Sequence, residues 1–139
     1  MTVQFFFLSK QIPLQNRKKL KSFLKSLFTY EKKELESIVY IFCSDEYLLK
    51  INEDFLKHSY YTDIITFDMS ETNRIKGEVY ISVERVQENA IKMGVSVNNE
   101  LHRVIFHGVL HLCGYKDKSK VDKQRMRQKE DFYIEQFFK

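Results

Sequence analysis

The sequence predicts an α/β (α+β) fold: a mixed four-stranded sheet with helices packed against it, in a single domain over residues 1–139. Three observations predict it. Apolar runs rich in β-branched and aromatic residues interleave with segments of 3.6-residue periodicity, in the order βαβαββααα. A helix between strands argues for parallel pairing, whereas the short connection from Met69 to Lys76 suits an antiparallel neighbour. One proline and four glycines leave little room for long loops.

Val3 to Leu8 reads as the first strand, ended before Pro13. From Asn16 to Phe28, the apolar residues Leu20, Phe23, Leu24, Leu27 and Phe28 recur at helical spacing beneath a Lys/Arg outer face. Ser37 to Cys43 is a buried strand. Ser44 caps the next helix, with Asp45 and Glu46 in its first turn, up to about Leu56. Asp63 to Phe67 and Gly77 to Ser82 are strands, and Ser82 caps a helix reaching about Lys92. Asn98 or Asn99 is the expected cap of the following helix, and Ser119 opens a last one to Phe137.

Length and composition are those of a folded single domain able to bury a core. No apolar run approaches the ~20 residues of a membrane span. The cluster Phe5 to Leu8 is too short for a signal-peptide core, so the expected compartment is the cytoplasm. Cys43 and Cys113 then read as buried reduced thiols. A net charge of +4 favours an anionic partner. The basic residues cluster at 17–21 and 116–129, where nucleic-acid contact competes with an ordinary solvated face.

Residues 107 to 117 carry the chemistry: His-Gly-Val-Leu-His-Leu-Cys-Gly-Tyr-Lys-Asp. His107 and His111 are four apart, so on a helix both imidazoles face one ion. Gly114 is a helix-stopping residue that turns the chain back. Asp117 then brings a carboxylate to the same point, unless it caps the last helix. Three protein ligands and one open position describe a catalytic zinc site. The spacing is zincin-like, but Gly108 stands where a zinc protease carries its glutamate base, which weakens a protein-hydrolase reading. Two residues of rotation turn Cys113 away from the histidine face, and His102 projects roughly 140° from it, toward solvent or a partner.

The run from His107 to Asp117 closely resembles the YbeY family signature, His-Gly-x-Leu-His-Leu-x-Gly-Tyr-Asp-His. Ile51-Asn52, Phe55 and Thr62 to Phe67 are similar to a second family block, and Gly77 to Ser82 to a third. The resemblance implies a metal-dependent, single-strand-specific endoribonuclease acting in ribosomal RNA (16S 3′-end) maturation and ribosome quality control. It implies one Zn2+ per chain, held by His107, His111 and Asp117, with Asp117 replacing a third histidine. The implied partners are single-stranded ribosomal RNA and the small ribosomal subunit with its proteins, without a membrane. Leu56 stands where the family carries an arginine, a residue whose planar fork suits phosphate. Lys57 and His58 are the adjacent candidates for that charge and for catalysis. Tyr60, Tyr61 and Tyr115 are candidates for base stacking, along with Lys57 and His58 as RNA contacts. Thr62, Asp63 and Thr66 are candidates for orienting the histidines. The alternative class is a non-catalytic, zinc-containing ribosome assembly factor.

Overall fold

The structure, a computed structural model, describes residues 1–8 and 14–139, so the expected stop before Pro13 lies outside the described residues. The elements are β1 (Thr2–Phe7), α1 (Arg17–Tyr30), β2 (Glu34–Cys43), α2 (Asp45–Leu56), β3 (Ile64–Asp68), β4 (Arg74–Ser82), α3 (Val83–Met93), α4 (Val97–Leu112) and α5 (Lys120–Phe138). The sheet order is β1-β2-β4-β3. β1 and β4 pair parallel to β2, and β3 pairs antiparallel to β4. The fold is the mixed four-stranded α/β sheet that the pattern predicts.

One expectation needs correction. The helix between β2 and β3 does not produce a parallel pair, because β4 takes the place beside β2 and β3 becomes the edge strand. The hairpin formed through the short connection therefore decides the direction of β3.

Side chains alternate across the sheet and build two unequal cores. On one face Ile38, Tyr40 and Phe42 of β2 join Val79 and Ile81 of β4 beneath α1, α4 and α5. Tyr40 lies opposite Val79 and Phe42 opposite Ile81. Burying each such side chain contributes about 1.5–3 kcal/mol, so this face supplies most of the stability. On the other face Cys43, Leu48, Ile51 and Ile65 form the smaller cluster under α2. Both cysteines are buried free thiols, and burial pushes each up to about 12, so neither is a ready metal ligand.

Serine hydroxyls start four helices. Ser44, Ser82, Ser96 and Ser119 accept from the backbone N–H three residues on, at 3.1, 3.2, 3.0 and 3.0 Å. Ser96 replaces the expected Asn98 or Asn99 cap, so α4 starts sooner, at Val97. The Asn98 carbonyl accepts instead from His102 Nδ1–H at 2.7 Å. His102 is likewise not at the surface. It is 2% exposed and stacks on Phe137 of α5, because α4 lies between the sheet and α5 and both of its sides are covered.

α4 approaches the sheet closely at Gly108. A Cβ there would sit 2.9 Å from Val79 Cγ1 and 3.1 Å from Ile64 Cδ1, and Val79 is fully buried. The glycine that seemed a gap in a protease motif is thus a packing residue. Alanine at 108 gains about 1 kcal/mol of helix propensity but overpacks a rigid β-branched neighbour at about 1–3 kcal/mol. Gly108→Ala is expected to lose on the order of 1 kcal/mol by urea denaturation. A more stable variant would contradict this close approach.

Candidate metal centre

α4 presents His107 and His111 on one face, and its end is built to bring the chain back over them. Tyr115 N–H donates to the Leu110 carbonyl at 3.0 Å, and Gly114 N–H to the His111 carbonyl at 3.0 Å. That is the hydrogen-bond pattern of a left-handed helix stop, and Gly114 has φ of +106°. The reversed chain carries Asp117 back to the histidines. Ser119 caps α5, so the Asp117 carboxylate is not used as a cap.

The donors converge. Asp117 Oδ2 lies 3.3 Å from His107 Nε2 and 3.2 Å from His111 Nε2. The Nδ1 atom of each ring is tied elsewhere. His107 Nδ1–H donates to Glu130 Oε2 at 2.6 Å, and His111 Nδ1–H to the Tyr115 carbonyl at 2.9 Å. Carbonyl and carboxylate only accept, so in the neutral rings both protons sit on Nδ1 and both Nε2 lone pairs face Asp117. Three lone-pair donors turned on one point repel each other unless a cation lies among them. Ligand bonds of about 2 Å at tetrahedral angles separate donors by about 3.3 Å, close to what is seen. The three donors lie within 4.8 Å of one another, and this group fits a metal ion.

A cleft of about 760 Å³ opens over this group, between α4, α5, β3 and the loop after α2. Burial lowers the affinity of His107 for a proton, but the hydrogen bond and charge of Glu130 outweigh it and raise its pKa above the ordinary histidine value. Burial raises the Asp63 carboxyl, although the nearby His107 opposes this. A model of the family described as endoribonuclease YbeY matches residues 7–138. The chain belongs to the YbeY family. It is 50% identical to endoribonuclease YbeY of Cytophaga hutchinsonii, over 94% of this chain and 92% of that one. It is 47% identical to endoribonuclease YbeY of Flavobacterium johnsoniae, over 91% and 94%. Its fold is similar to the solution structure of TM1509 from Thermotoga maritima, with a TM-score of 0.70, 25% identity, and coverage of 99% of this chain and 89% of that one.

Around this His-His-Asp group, the other predicted residues separate. Leu56, His58 and Tyr60 line the cleft, whereas Lys57 and Tyr61 do not. The ring of His58 stacks on that of Tyr60, and its Nδ1 lies 3.0 Å from the Tyr60 hydroxyl. Lys57 caps α2 in a left-handed conformation, and its Nζ reaches back to the Asp54 carbonyl. Tyr61 donates to Glu46 at 2.6 Å, under the Arg85 guanidinium. Tyr115 is turned from the cleft, its hydroxyl donating to Glu31 at 2.7 Å. Asn52 is buried and anchors this wall by donating to the Tyr60 carbonyl at 2.8 Å and accepting from His58 N–H at 3.1 Å.

Orientation of the histidines falls to groups that the sequence did not single out. Glu130 and the Tyr115 carbonyl make the Nδ1 bonds, in place of the expected Thr62, Asp63 and Thr66. Thr62 donates to the Ile64 carbonyl instead, and Asp63 bears on His107 through charge alone. Glu130 is 4% exposed and is compensated by Arg103 at 3.0 Å. The helical position of Glu130 on the apolar side of α5 was the available signal, since buried carboxylates need partners.

Glu130→Gln is expected to weaken divalent-metal binding about 10–100-fold by calorimetry, with unchanged stoichiometry. Unaltered affinity would remove Glu130 from the site. Glu31 anchors Tyr115 from behind: burial raises its carboxyl, but hydrogen bonds from Tyr133, Tyr115 and Lys129 outweigh this and hold it below the usual range. A folded-state pKa below the unfolded one gives stability above about pH 4.3 that is lost as pH falls through the lowered value. The difference in melting temperature between the wild type and Glu31→Gln is therefore expected to shrink steadily below about pH 4.3.

Proposed function

We propose that this protein is a single-strand-specific, metal-dependent endoribonuclease of ribosomal RNA maturation (16S 3′-end) and ribosome quality control, working in the cytoplasm on the small subunit and its proteins. The carrying observation is the convergence of His107 Nε2, His111 Nε2 and Asp117 Oδ2, with both Nδ1 protons turned away, in a solvent-open cleft. The family match and the names of the relatives from Cytophaga and Flavobacterium support the reaction class.

Two imidazoles and one carboxylate suit one Zn2+, and three protein ligands leave the open position of a catalytic rather than a structural site. The chemistry that ion supplies when bound is Lewis-acid activation at a phosphodiester. The chain's own residues do the rest. Glu130 and the Tyr115 carbonyl hold the protons on Nδ1 and keep the rings from turning. Asp63, whose carboxyl burial pushes up, lines the same cleft as the histidines. His58 and Tyr60 offer a stacked pair of rings on the cleft wall, suited to an unpaired base. Lys57 faces away, so any contribution from it requires a different loop conformation.

Leu56 is the observation that favours the second reading, a ribosome assembly factor without turnover. It lies in the cleft wall, half-exposed, where the family has arginine. Leucine offers no hydrogen bond to phosphate. Cleavage of single-stranded ribosomal RNA by zinc-loaded wild type, His107→Ala and His111→Ala separates the two. Each variant is expected to lose on the order of 10²-fold or more in rate, as when a group stabilising developing charge is removed. Equal rates in all three would refute the endoribonuclease, and co-purification with ribosomal subunits without any turnover would establish the second reading.

A further inference from the structure

The cleft itself is poor in available positive charge. The basic residues lining it are Arg103, Lys118 and Arg127. Against these three stand five acids, namely Asp63, Asp68, Glu100, Asp117 and Glu130. Arg103 is already committed, at 3.0 Å to Glu130 and 2.9 Å to Asp131, with its side chain only 14% exposed. The opposite wall presents Leu56, His58 and Tyr60 and adds no fixed cation. Besides a bound metal ion, the side-chain cations left to meet a phosphate backbone are therefore Lys118 and Arg127, both at the α5 end of the cleft.

The N-terminal half of α5 supplies that charge. Lys120, Lys123 and Arg127 recur at i, i+3 and i+7, which places them on one stripe. The buried residues of the same helix are Met126, Glu130, Tyr133, Ile134 and Phe137, and the stripe runs along the flank of that buried side, with all three basic side chains exposed. With Gln124 and Gln128 it lines a second groove of about 710 Å³. Arg127 lines both the groove and the cleft, so the two adjoin at that side chain. Lys120 and Lys123 are exposed and make no ion pair among the described residues. Arg127 lies 3.7 Å from a Glu130 that Arg103 and His107 already satisfy, and its side chain is 52% exposed. Asp122, the acid of the first turn, lines a separate groove with Glu31.

We propose that the N-terminal half of α5 is the track for the backbone of the single-stranded RNA, with Arg127 passing the strand from the Lys120–Lys123 stripe into the cleft. The proposal rests on the endoribonuclease reading and adds where the substrate lies. Three phosphate contacts of this kind contribute a salt dependence of about 0.7 each for a single strand.

The test is fluorescence anisotropy of the full chain, zinc-loaded, with a labelled 2′-O-methyl oligoribonucleotide of about 12 nucleotides, over a salt series. The triple variant Lys120→Gln/Lys123→Gln/Arg127→Gln is compared with Lys18→Gln/Lys21→Gln/Lys25→Gln, which removes the same charge from α1. The slope of log affinity against log salt is expected to fall by about 2 in the α5 variant and by under about 0.5 in the α1 variant. At fixed salt the α5 variant should also show a KM for RNA cleavage raised about tenfold or more, and KM should respond more than kcat. Equal slope losses in both variants would overturn the track, because net charge alone would then explain binding. An α5 variant with the wild-type slope would overturn it too, while cleavage by the wild type would leave the endoribonuclease reading standing. A wild type that binds no single strand would overturn both.

Discussion

The hydrogen bond between His107 and Glu130 joins the fold to the chemistry. It needs α4 and α5 packed at a fixed spacing, because its donor is on one helix and its acceptor on the other. It also needs a buried carboxylate, which is costly unless paired. Arg103 meets that need from α4 itself and reaches Asp131 as well, so the two helices are clamped by charge above an aromatic seam of Phe106, Tyr133 and Phe137. Gly108, one residue beyond His107, sets the other boundary by letting α4 lie down on Val79 and Ile64. The imidazole is thus located by the sheet on one side and by α5 on the other.

The second histidine is fixed by different means. Its acceptor is a backbone carbonyl, made available only because Gly114 reverses the chain. Tyr115 is then anchored through its hydroxyl to Glu31, at the end of α1, where Lys129 and Tyr133 converge. One ligand is therefore oriented by α5 and the other by a loop held to α1. Tyr115 packs against the larger core and Glu130 is buried beside it, so the donor positions are as rigid as that packing.

Much of this was legible in the sequence, for a local reason. His107, His111, Gly114 and Asp117 fall within eleven consecutive residues, and helical rotation plus a left-handed stop is enough to bring them together. The strands were legible by alternation, apart from their polar ends: β2 begins at Glu34 and β4 at Arg74, where ladder bonds rather than side chains make the strand. What stayed hidden depends on tertiary contact. Glu130 lies far along the chain from His107, and the Tyr115 acceptor is a backbone atom that carries no side-chain signature. His102 does not line the cleft, but rotation alone could not show that α5 covers it, since a helix buried on two sides has no solvent face there. The placement of β3 depended on β4 displacing it from β2, a choice between partners that no single segment encodes.

Asp117 and Leu56 are linked by the electrostatics of the cleft. A carboxylate ligand in place of an imidazole adds one negative charge beside Asp63, Glu130 and Glu100. This strengthens the hold on a cation and weakens the hold on a polyanion. A leucine at 56 removes a positive charge from the facing wall. Both departures move the cleft in the same direction, away from phosphate. An opposing change is needed if RNA is to enter, and it has to come from residues that do not themselves coordinate the ion. The stripe proposed on α5 would satisfy this condition, because it runs outward from the cleft edge at Arg127 and none of its residues is among the candidate ligands. On that proposal the helix that orients one candidate ligand would also meet the strand, and substrate charge and ligand geometry would be coupled through one element.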